Sequence, residues 1–155
     1  MPVVVFPNSS LPKAIPPAPL RTAVVVDDSS TILHAVCSLL EHHNIVNVVG
    51  RAESGLDAMS EVQMLKPDLL LMDAEMPGMS GLRASLMISQ IHPEITIILM
   101  SMDTGHRFVQ ACYDCGAHAV IYKPRFLKEL RQVLKLDSPQ MVDPTLAPKQ
   151  AIAGV

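Results

Sequence analysis

The chain has 155 residues, a net charge of −3 and three cysteines. That length predicts one domain with tails, the charge gives no electrostatic support for direct nucleic-acid binding, and an odd cysteine count argues against a disulfide framework. No apolar run approaches the ~18 residues of a membrane span and nothing near Met1 reads as an export signal, so the expectation is a cytoplasmic domain without membrane contact.

Residues 1–20 carry Pro2, Pro7, Pro12, Pro16, Pro17 and Pro19 with little periodicity, which predicts a disordered tail. From Thr22 onward strand and helix signals alternate. Ala23-Val24-Val25-Val26 reads as a buried strand that stops at Asp27-Asp28. Ser29 or Ser30 can cap a helix with Ile32, Val36, Leu39 and Leu40 on one stripe. Residues 45–49 make a second strand, and Ser54-Gly55 opens a second helix with Ala58, Val62 and Leu65 inward, ended by Pro67.

Leu69-Leu70-Leu71-Met72 is the third strand. Four consecutive apolar residues predict burial on both faces, as at the centre of a parallel sheet, and the strand stops at Asp73. Pro77, Gly78 and Gly81 mark a loop, and Ser80 can cap a helix over 82–91. A fourth strand over 95–100 ends at Ser101, and a fourth helix over 107–115 stops at Gly116. The fifth strand, 119–122, ends at Lys123-Pro124, and the last helix spaces Phe126, Leu130, Val133 and Leu134 on one face. Repeated strand–helix units over 21–136 imply a parallel sheet with helices on both faces. Residues 137–155, with Pro139, Pro144 and Pro148, read as a second tail, too short for an output domain.

The strand ends share a chemistry: Asp27 and Asp28, then Asp73, then Ser101, then Lys123. Each alone has an ordinary reading, Asp28 as a helix cap, Asp73 as a turn opener and Lys123 as a surface charge. Together they describe a site. Like charges ~4 Å apart repel by about 4 kcal/mol at an effective dielectric of 20, so gathered carboxylates call for a cation. Carboxylates without thiolate or imidazole suit a hard ion, Mg²⁺ being the usual one near phosphate. Lys123 and Ser101 would add a charge and a hydroxyl for an incoming phosphoryl group while a carboxylate attacks it.

In this order the residues resemble the receiver domain of two-component response regulators. The matching positions are Asp27-Asp28, the run Asp73-x-x-Met76-Pro77-x-Met79-x-Gly81, Ser101, Gly116-Ala117 and Lys123-Pro124. The resemblance covers about 21–136 and is of the stand-alone, chemotaxis-regulator-like kind. It implies a flavodoxin-like three-layer α/β/α sandwich with a five-stranded parallel sheet of order 2-1-3-4-5.

It also implies roles. Asp73 would be the phospho-acceptor, taking its phosphoryl group from a sensor histidine kinase or phosphotransfer protein. Asp28, Asp73 and the Glu75 backbone carbonyl would ligate Mg²⁺, with Asp27 holding a coordinated water, and Lys123 would pair with a phosphoryl oxygen. Ser101 would swing toward that group, Tyr122 would turn inward, and the face of the fourth helix, fifth strand and fifth helix would change for an unknown downstream protein or a second copy of the chain. The Lys123-Pro124 peptide is expected to be cis, and the molecule a regulatory phospho-acceptor with slow self-dephosphorylation rather than an enzyme.

Three departures change what a partner would meet: Met102 follows Ser101 where a small residue is usual, Leu33 stands where Arg is frequent, and Arg125 replaces a common Phe. Glu75 and Asp103, two residues past Asp73 and Ser101, are expected to tune the acyl phosphate's lifetime, or else are solvated loop acids. Cys112, Cys115 and His118 suggest a metal or redox site, but Phe108, Cys112 and Cys115 share a helical face and read better as core. Two other functions stay open: a receiver-like binding module that is never phosphorylated, and a Mg²⁺-dependent aspartyl-nucleophile phosphatase of the haloacid-dehalogenase type. The latter would want an Asp where Glu75 stands.

Overall fold

A computed structural model describes residues 20–136; the expected tails, save Leu20, lie outside the described residues. Among the described strands, the one buried throughout takes the centre. β3 (Leu69–Asp73) is buried at all five positions, and it lies between β1 (Thr22–Val26) and β4 (Thr96–Ser101). β2 (Asn47–Ala52) and β5 (Ala119–Tyr122) form the edges, every pairing is parallel, and the order is β2-β1-β3-β4-β5. Alternate strand residues feed two cores. One joins the sheet to α1 (Ser30–His42) and α5 (Phe126–Val133). The other joins it to α2 (Gly55–Leu65), α3 (Gly81–Ile91) and α4 (His106–Asp114). The sheet is thus wrapped on both faces, as expected of the flavodoxin-like sandwich.

Serines start three of the helices. Ser29, Ser54 and Ser80 each accept the amide of the residue three positions on, which satisfies an otherwise orphaned N–H. Two of these caps close the loops after Asp27-Asp28 and after Asp73, so they set where the acids sit.

Several local expectations shift. The buried stripe of α1 is Leu33, Val36, Cys37 and Leu40, while Ile32 and Leu39 are exposed. The helix carries apolar residues on two adjacent stripes, and periodicity alone does not choose between them. Leu33 is therefore core. β2 begins two residues later than predicted and runs on through Gly50-Arg51-Ala52. Ile45 and Val46 are buried in the approach to it, and a register shift opposite Ala23/Val24 leaves Val49 partly exposed. An edge strand tolerates that bulge because only one side must pair. In α2 it is Gly55, Ala58 and Val62 that face inward, with Leu65 exposed.

No cis peptide occurs among the described residues, so the expectation for Lys123-Pro124 is corrected. Lys123–Arg125 forms one 3-10 turn directly before α5, a position that suits proline's fixed φ and missing N–H. No helix among the described residues is long and apolar enough to cross a membrane.

Candidate functional site

Asp27 directly follows β1 and Asp73 ends β3, and these strands are neighbours. Both carboxylates are almost fully buried, at 1% and 5% exposure. Asp27 Oδ1 accepts the Ser29 amide at 3.0 Å, and Asp73 Oδ1 accepts the Glu75 amide at 3.1 Å. The remaining oxygens face Lys123, whose Nζ lies 2.8 Å from Asp27 Oδ2 and 3.2 Å from Asp73 Oδ2. Asp28 is exposed but offers an oxygen within 4.8 Å of oxygens from the other two acids.

Charge is unbalanced here, with three carboxylates against one ammonium. Burial pushes the Asp73 carboxyl above its usual range, and the Glu75 amide and Lys123 only partly oppose it, while Asp27 pushes the same way. For Lys123, burial works to lower the pKa, but the hydrogen bond to Asp27 and the charges of Asp73 and Asp27 outweigh it, so the ammonium is held more firmly than usual. All the candidate ligand atoms are oxygens and one ammonium does not balance three carboxylates, a set that fits a hard dication such as Mg²⁺. Among the described residues it is the one group of three or more such side chains close enough to hold a metal.

A glycine fixes the floor of the site. A Cβ on Gly81 would lie 2.0 Å from the Asp73 carbonyl oxygen and 2.8 Å from Ala74 Cα, so only glycine lets the start of α3 pass this close behind Asp73.

Ser101, at the end of β4, is buried, and its Oγ accepts the Asp103 amide at 2.9 Å. It pairs across the ladder with Tyr122, which is half-buried beneath the Arg125 guanidinium, 5.8 Å from the ring centroid. Met102 is 60% exposed and does not seal the site. Glu75 and Asp103 are exposed, and Asp103 Oδ1 accepts the Gly105 amide at 2.7 Å, closing the turn into α4. Cys112 is fully buried, and His118 Nδ1 accepts the Ile97 amide at 3.0 Å, so these residues serve packing and sheet pairing.

One contact had no signal in the sequence. Glu129 Oε2 accepts the Tyr122 amide at 2.8 Å, though an acid in the first turn of a helix ordinarily reads as a complement to the helix dipole.

The three acids and Lys123 thus meet at the carboxyl edge of a parallel α/β sheet, where open sheets of this kind place their sites. The family model described as the response regulator receiver domain matches residues 23–135, and the chain belongs to that family, whose general function is a phosphorylation switch. Response regulator GacA of Pseudomonas viridiflava is 31% identical over 113 residues, covering 73% of this chain and 53% of GacA. A protein-glutamate methylesterase/protein-glutamine glutaminase of Clostridium acetobutylicum is 31% identical over 112 residues, 71% of this chain and 32% of that protein. The solved signal receiver domain of NarL from Mycobacterium tuberculosis superposes with a TM-score of 0.70 at 27% identity, covering 76% of this chain and 96% of that domain. The chain thus spans about half the length, or less, of these curated relatives.

Proposed function

We propose that Asp73 accepts a phosphoryl group and that the domain works as a switch driven by that charge. The observation that carries this is the bridge from Lys123 Nζ to Asp27 and Asp73 inside the three-acid cluster. An Asp73 carboxylate oxygen attacks the phosphorus of a phosphohistidine on a sensor histidine kinase or phosphotransfer protein. The P–O bond forms as the P–N bond breaks, and the imidazole leaves with the electron pair.

Asp27, Asp28, Asp73 and the Glu75 carbonyl would hold Mg²⁺, which supplies positive charge to the transferring phosphoryl oxygens. Lys123, already protonated and aimed at Asp73, pairs with a phosphoryl oxygen once the group arrives. The Ser101 hydroxyl, which accepts the Asp103 amide here, turns to donate its proton to a phosphoryl oxygen, freeing space beside its ladder partner Tyr122. Two arrangements of the α4–β5–α5 face, biased by one new charge, then decide binding of a downstream protein or a second copy of the chain.

Incubation with Mg²⁺ and acetyl phosphate tests this by intact mass. Mg²⁺-dependent addition of one phosphoryl group, lost in Asp73→Asn, supports the proposal. Absence of any label refutes it in favour of a non-phosphorylated binding module, and rapid turnover of varied phosphate esters refutes it in favour of an aspartyl phosphatase.

A further inference from the structure

β5 (Ala119–Tyr122), the shortest strand, is an edge, paired with β4 alone. Edge strands leave the backbone groups on their outer side without a ladder partner. At Tyr122 the partner comes from α5, where Glu129 Oε2 accepts the amide at 2.8 Å in a partly buried position.

The next residue is Lys123, whose Nζ reaches past the ends of β4 and β3 to Asp73 and Asp27. An extended lysine carries Nζ ~6 Å from Cα, so a tilt of about 10° at the strand end moves the ammonium by about 1 Å. Misplacement of that size can cost ~100-fold in a positioned reaction.

We infer that Glu129 is a positioning residue for phosphoryl transfer: by accepting the Tyr122 amide it holds the end of β5 so that Lys123 stays aimed at the Asp27–Asp73 pair. The inference rests on the reading of Asp73 as phospho-acceptor. Two features of the corner reinforce it. The turn Lys123–Arg125 contains Pro124 and runs straight into α5, so strand end and helix are joined by a stiff link with no slack. Arg125, in the same turn, sets its guanidinium over the Tyr122 ring, 5.8 Å from the centroid, so that residue is approached through its side chain as well as through its backbone. In the first turn of α5, moreover, the Glu129 carboxylate stands where the helix dipole favours an anion, so it is available as an acceptor.

The test compares the full chain with Glu129→Gln, Glu129→Asp and Glu129→Ala in saturating Mg²⁺ and fixed acetyl phosphate, following phosphoryl incorporation by intact mass. Thermal melts confirm folding, and half-saturating Mg²⁺ is measured separately. Gln keeps an oxygen acceptor at the same reach, whereas Asp keeps the charge and stops one methylene short. The expected result is a fall of about 10-fold or more in rate for Asp and Ala, with Gln within about threefold of wild type and Mg²⁺ affinity within about twofold throughout. Should Ala fail to fold, the Asp and Gln pair still decides.

Wild-type rates in the Asp variant overturn the inference. A Gln variant as slow as the Asp variant also overturns it, because the acceptor alone would then not suffice. If wild type itself takes no label, the phospho-acceptor reading fails and the inference with it, an outcome distinct from either of these.

Discussion

Neutralising Asp73 without changing its shape isolates what the crowded acids cost. In Asp73→Asn the side-chain oxygen can still accept the Glu75 amide. Asp27 and Asp73 are both buried and offer oxygens within 4.8 Å of one another, a repulsion of at least about 3.5 kcal/mol at an effective dielectric of 20. Asp28 is exposed, so solvent screens its share. Against this, the 3.2 Å pairing of Asp73 with Lys123 is worth about 5 kcal/mol on the same scale. The Coulomb contributions therefore leave at most about 1.5 kcal/mol in favour of the ionised carboxyl, and desolvation outweighs that, since a buried ion costs several kcal/mol. Lys123 keeps its 2.8 Å partner Asp27 in the variant.

In EDTA at neutral pH, Asp73→Asn should be more stable than wild type by about 1–3 kcal/mol. At ~2.1 cal/mol/K per residue over about 115 residues, that is a rise in Tm of about 4–12 °C. The sign follows from the raised Asp73 pKa. The penalty of the ionised carboxyl is complete above the folded-state pKa and is gone below the unfolded value of ~3.9, so the advantage of Asn should fade as pH falls through that window. Mg²⁺ at ~100 times its Kd should stabilise wild type by about 2.7 kcal/mol and close or invert the gap. Calorimetric melts with EDTA and with Mg²⁺ measure all of this. A variant less stable than wild type in EDTA would show that the ionised Asp73 costs the fold nothing, and a wild-type Tm that Mg²⁺ does not move would show that the acids hold no cation.

Gly81→Ala should lower stability by about 1–3 kcal/mol and slow phosphoryl incorporation, because the added methyl meets backbone atoms of Asp73 and Ala74 rather than a side chain that can turn away. Gly78→Ala is the control: its φ of +76° brings conformational strain, but nothing lies within 4 Å of the new methyl, so melts should show a smaller loss and labelling should persist. Burial pushes the Cys112 thiol up to about 11, with Cys115 and Asp103 adding to it. Iodoacetamide at neutral pH should therefore modify the partly exposed Cys115 in the native protein and reach Cys112 and Cys37 only on unfolding, as peptide mapping would show. Because the folded pKa of Cys112 exceeds the unfolded ~8.5, its contribution to stability is complete below that value and is lost as pH rises toward about 11. Chemical denaturation across that range should find a decline that Cys112→Ala lessens.

Much of this protein could be read from local pattern. Unbroken apolar runs mark strands buried on both faces, and each run stops where a charged or hydroxyl residue meets the open edge of the sheet, so Asp27, Asp28, Asp73, Ser101 and Lys123 stand out as strand ends. The serine caps at Ser54 and Ser80 were equally legible, and that of α1 down to a choice between Ser29 and Ser30, because capping depends on residues three apart. Strand order came from likeness to a family, since periodicity says which face is buried and not which strand lies beside it.

Tertiary structure decided the rest. It chose between two apolar stripes on α1, carried β2 beyond its hydrophobic stretch, and set Lys123 against Asp27, 96 residues away in sequence. It also gave Glu129 a backbone partner at the rim of the sheet and pressed Gly81 against Asp73. These are contacts between surfaces, fixed by sheet order and close packing, and a chain read one window at a time holds no record of which of its surfaces will meet.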